Sequence, residues 1–108
     1  APISPDLPHA IISHRCCVQA ILDLHDVPSA TMAQVCGSDR AVNIPSLSST
    51  LQQIVDAMQR VAARKGITPG AVRFELDAFL SGIVGSMAGA TDFARATALG
   101  IAENPTLD

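Results

Sequence analysis

Leu47, Leu51, Ile54, Val55, Met58, Val61 and Ala62 fall on one line at three- and four-residue spacing. This stripe constrains the fold more than any other feature of the chain. An apolar face of that width is stable only when covered, so the helix that carries it must pack against other elements. Gln52, Gln53, Asp56, Gln59, Arg60 and Arg64 occupy the opposite face. Ser46 or Ser48 is placed to cap this helix and Gly66 to end it. Asp56 lies one turn before Arg60 and is spaced to pair with it.

What covers the stripe must be built almost without aromatics. Phe74, Phe79 and Phe93 are the only ones, although 48% of the residues are hydrophobic. A core of Ala, Val, Ile, Leu and Met favours helices at short range, since small side chains let axes approach. Further helices are predicted from Ser4-Pro5-Asp6 to about His25, from Pro28 to Cys36, from Thr68-Pro69 through Met87, and from Phe93 to about Ala102. Gly37 is the expected stop of the second. Period-two alternation is absent. The expected fold is all-α, a small bundle of four to five helices with helix 4 central or at a dimer interface. It forms one helical domain over residues 1–108, with loose ends at 1–5 and 103–108. Leu51, Ile54, Val55, Met58, Leu76, Phe79, Leu80 and Ile83 are the expected core.

Helix 4 also carries Gly82, Gly85 and Gly89. Glycine inside a helix costs about 1 kcal/mol against alanine. Recurrence of small residues is best explained by another helix crossing there, from this chain or a second copy, so these three are the candidate interface residues. Apolar residues spread over more than one side of helix 4, which points to a homodimer.

The charge balance argues against several functions. Net charge is −3, and the only basic cluster is Arg60, Arg64, Lys65 and Arg73. That reads as a solvated helix end, not a surface for nucleic acid. The longest apolar stretch, Ala78–Ala90, is broken by glycine and serine and is too short to span a bilayer, so no membrane partner is expected. No phosphate loop, dinucleotide fingerprint or paired carboxylates are present, and no cofactor is expected.

Cys16, Cys17 and Cys36 are the most informative chemistry. If the first two helices form an antiparallel hairpin near Asp26-Val27, Cys17 and Cys36 lie at the same height and can form a disulfide. Such a link would contribute about 3 kcal/mol and imply a periplasmic or secreted protein. Free thiols buried as small hydrophobes would fit the cytoplasm. A start at Ala1 rather than Met permits export. A third reading makes His14, Cys17 and Cys36 three ligands of a metal, although the tight paired spacings of zinc sites are absent. His14 with Cys17 lacks an oriented third group, so no catalytic residues are assigned. His25-Asp26 is best read as a dipole partner and a cap at a helix end.

The order of a cysteine-bearing first helix, a second cysteine about twenty residues on, then Ile44-Pro45, Leu51-Gln52-Gln53-Ile54-Val55 and a long helix resembles small periplasmic immunity proteins that neutralise type VI secretion amidase toxins. The family's closing cysteine has no counterpart here. The resemblance implies an exported toxin inhibitor. The residues alone lead to a non-enzymatic helical module that binds another protein as inhibitor, adaptor or regulator. A small-ligand or metal carrier using the Cys/His end is the alternative.

Overall fold

The computed structural model describes residues 1–103, 106 and 107. The element order is β1 (Pro8–Ile11), α1 (His14–Asp26), α2 (Ser29–Cys36), β2 (Leu47–Thr50), α3 (Leu51–Arg64), α4 (Ala78–Gly85) and α5 (Ala94–Ala98). β1 and β2 pair in a two-stranded antiparallel sheet, so the fold is mixed α/β and the all-α bundle is overturned. The chain divides into two compact units. One comprises Ala1–Ala10, Ser48–Ala90 and Thr106–Asp108, the other Ile11–Leu47 and Thr91–Pro105.

The expected first helix misses the strand because two prolines precede it. A residue before proline is pushed out of the helical region, as Ser4 and Leu7 both are, and the chain here makes only a turn, in which the Leu7 N–H donates to the Ser4 carbonyl at 3.3 Å. The true cap is Ser13, whose Oγ accepts from the Cys16 N–H at 3.1 Å. The helix then runs to Asp26, near the expected end. α2 ends at Gly37, where φ is +63° and glycine is favoured.

Before α3, Leu47 belongs to β2 rather than to the helical stripe, and Thr50 is the N-cap. Thr50 Oγ1 accepts from the Gln53 N–H at 3.2 Å, and the Thr50 N–H donates to Gln53 Oε1 at 2.9 Å. This reciprocal capping box fixes the strand-to-helix turn with no loop between. Val55, Ala57 and Ala62 are the buried residues of α3, while Leu51, Ile54 and Val61 are half-buried and Met58 is exposed.

Helix 4 departs furthest from expectation. Residues 69–77 are not helical. The Ala1 ammonium donates to the Arg73 carbonyl. The Glu75 N–H donates to the Ala1 carbonyl at 2.9 Å, and the Asp77 N–H to that of Pro2 at 2.8 Å. Bonds at every second residue are the pattern of extended pairing. They draw Arg73–Asp77 away from the helix that Thr68-Pro69 would start. α4 begins only where Asp77 Oδ1 accepts from the Leu80 N–H at 2.8 Å. No residue of α4 is buried. Leu76, Phe79, Leu80 and Ile83 are exposed, so helix 4 is not the central helix of a bundle.

In the other unit, Ala20, Ala96 and Ile101 form the buried cluster, with Leu24, Val42, Ile44, Phe93 and Leu99 packed against it. α2 packs on α5. Cys36 is buried, and all three cysteines are free thiols. The expected Cys17–Cys36 disulfide is therefore absent. Its premise was an antiparallel hairpin of α1 and α2, and α2 instead makes its interhelical contacts with α5.

Candidate functional site

The first turn of α1 combines the exposed hydroxyl of Ser13 with the exposed side chains of His14 and Arg15. It contains no acidic residue. A helix N-terminus carries about half a positive charge, and a cation there is unfavourable by roughly 0.3–1 kcal/mol. Neither His14 nor Arg15 makes a hydrogen bond or ion pair among the described residues. The turn thus sets one permanent cation, Arg15, beside a helix N-terminus that has no acidic residue in its first turn.

A second polar feature is a notch of about 310 Å³ lined by Asp39, Ala41, Asn43, Asp92, Ala94 and Arg95. Arg95 Nη1 donates to Asp39 Oδ2 at 3.1 Å, to the Ala41 carbonyl at 2.8 Å and to the Asp39 carbonyl at 3.3 Å. Asp39 Oδ1 accepts from the Ala41 N–H at 3.0 Å. That backbone bond, then the bond and charge of Arg95, hold the Asp39 carboxyl below its usual range. Asn43 Nδ2 donates to the Asp92 carbonyl at 2.9 Å, and Asp92 Oδ1 accepts from the Ala94 N–H at 2.9 Å. These groups satisfy one another. The notch is a clasp that fixes the chain after α2 to the start of α5.

α3 contributes an apolar groove of about 440 Å³ whose lining includes Ile54, Met58, Val61, Ile67 and Leu107, with Lys65 also on its wall. Among the described residues no three His, Cys, Asp or Glu side chains converge on a point that could hold a metal, so His14, Cys17 and Cys36 do not form a ligand set. His25 Nδ1 lies 3.0 Å from Asp26 Oδ1, with both side chains about 85% exposed, a helix-end contact and not a catalytic pair. Gly82 and Gly85 have open space where a Cβ would stand, whereas Gly89 lies against Pro8. Arg15 was not singled out from the sequence, since a helix starting at Ser4-Pro5-Asp6 would have placed it in the middle and not in the first turn. A basic residue two positions after a serine, where an acid is the usual choice, becomes a signal only once that serine is known to be the cap.

No family model matches the chain. Over 107 residues, 99% of its length, it is 30% identical to D-erythronate dehydrogenase of Cupriavidus necator. The aligned region is 31% of that protein, so the chain spans about a third of the length of the relative it matches. The chain is thus similar to a segment of an enzyme, which stands beside the expectation of a non-enzymatic module.

Proposed function

We propose that this chain is part of a hydroxy-acid dehydrogenase, and that it serves the acid's carboxylate rather than the dinucleotide. The observation that carries this reading is the 30% identity to D-erythronate dehydrogenase along 99% of the chain. Two features agree with it. The sequence has no Gly-x-Gly-x-x-Gly turn, and the two paired strands are antiparallel, whereas dinucleotide sites of the common type lie at the ends of parallel strands. The positive first turn of α1 suits a carboxylate, because backbone N–H groups, the helix dipole and the Arg15 guanidinium all favour negative charge. In this role the chain binds and orients, and hydride transfer takes place on residues outside it.

The test is a titration of the 108-residue chain with D-erythronate, followed by amide NMR, with neutral erythritol as control. The amides of Ser13 to Cys16 are expected to shift with the acid and not with the polyol. Arg15→Gln should weaken the response about tenfold, the loss of one charge-assisted contact. Equal responses to acid and polyol, or shifts confined elsewhere, would overturn the assignment.

A further inference from the structure

α1 meets the buried cluster of its unit through Ala20, which is 3% exposed. Its other side is apolar and uncovered: Val18, Ile21 and Leu22 are 43, 56 and 55% exposed. At about 100° per residue, Arg15, Val18, Ile21 and Leu22 share an arc of about 120°, and Ala20 points about 160° away from its centre. One face of one helix thus joins an apolar patch to the cation of the candidate carboxylate site. We propose that this face is the seam on which the dinucleotide-binding part of the dehydrogenase packs, with Arg15 at its edge.

The inference rests on the dehydrogenase reading above. In that reading the acid's carboxylate is held at the first turn of α1, while hydride transfer takes place on residues outside the chain. D-erythronate is a short acid, so its carbinol carbons lie within a few ångströms of its carboxylate. The outside residues must therefore reach the surface around Arg15. The aligned region is 31% of the relative, so most of such an enzyme lies outside the chain and has to be placed against it. Two parts of one enzyme that share a site need apolar contact beside it to hold them in register. Val18, Ile21 and Leu22 supply that contact within about two turns of Arg15. A second copy seated on this face would cover the approach to Arg15. It would also bring no dinucleotide site of the common type, since the sequence has no Gly-x-Gly-x-x-Gly turn.

Hydroxyl-radical footprinting of the 108-residue chain and of the full-length dehydrogenase that carries it tests the seam. Val18, Ile21 and Leu22 should oxidise several-fold more slowly in the full-length protein. Leu22→Glu puts a charge on the seam at a position that the isolated chain leaves in water. It should leave the circular dichroism and the D-erythronate response of the isolated chain unchanged. It should lower D-erythronate oxidation by the full-length protein at least about tenfold, because docking would bury the unpaired charge. Unchanged footprints, or full turnover in Leu22→Glu, would overturn the inference. So would footprints in the isolated chain that fade as its concentration rises, which would give the face to a second copy. An isolated chain whose Ser13 to Cys16 amides ignore the acid would instead overturn the carboxylate reading, whatever the footprints show.

Discussion

A Cβ at Gly89 would lie 2.9 Å from Cγ of Pro8 and 3.2 Å from the Pro8 carbonyl oxygen. The contact is held from both sides: the Ala10 N–H donates to the Ala88 carbonyl at 3.4 Å, and Ser48 Oγ donates to the Gly89 carbonyl at 2.7 Å. Neither a proline ring nor a carbonyl can yield easily. Gly89→Ala should therefore destabilise by about 1–3 kcal/mol, the usual cost of overpacking. Gly82→Ala, with open space around it, should instead stabilise the chain by roughly 0.5–1 kcal/mol through helix propensity. Urea denaturation of the two variants checks the opposite signs, and equal shifts would refute the close approach.

Ala96 is fully buried, at the centre of the cluster with Ala20 and Ile101. Ala96→Leu should cost about 1–3 kcal/mol or more. Phe79→Ala should change stability by less than about 0.5 kcal/mol. Thermal melts that rank the two variants the other way would show that α4, and not Ala96, is at the centre of the packing.

Asp39 titrates below its usual range when folded. A carboxyl with a folded value below its unfolded value stabilises the protein above the unfolded value. That contribution is lost as pH falls through the folded one. Arg95→Gln removes the charge and the Nη1 donor, so the Asp39 titration should move upward toward the ordinary carboxylate range. It should not return fully, because the Ala41 N–H still donates to it. Carboxyl-carbon NMR of Asp39 in the two proteins reads this shift, and an unmoved midpoint would remove Arg95 from the clasp's electrostatics.

The thiols give a fourth check. Cys16 and Cys17 are partly exposed and Cys36 is 6% exposed. Alkylation of the native protein without reductant should add label at Cys16 and Cys17 first, and at Cys36 only after denaturant is added. A full complement of adducts is expected in denaturant alone, read by intact mass. A protein two labels short would restore the Cys17–Cys36 link.

The amino-acid order by itself determined the elements whose signals are local. The body of α3 follows from its apolar stripe, and the ends at His25-Asp26, Gly37 and Gly66 follow from capping and from left-handed backbone at glycine. The first turn of α1, the candidate carboxylate site, was not among them: the expected start at Ser4-Pro5-Asp6 put Ser13, His14 and Arg15 in the middle of a helix, and only the pairing of Pro8–Ile11 as a strand moves the cap to Ser13. Non-local partners decided the rest. Pro8–Ile11 becomes a strand because Leu47–Thr50 pairs with it from far along the chain. Arg73–Asp77 is extended because its N–H and C=O groups bond to Ala1 and Pro2. The stripe from Leu76 to Met87 has helical periodicity, but periodicity says only which residues would share a face. Whether the chain covers that face depends on where the backbone around Asp77 directs α4, and tertiary hydrogen bonding to the N-terminal residues fixes that direction.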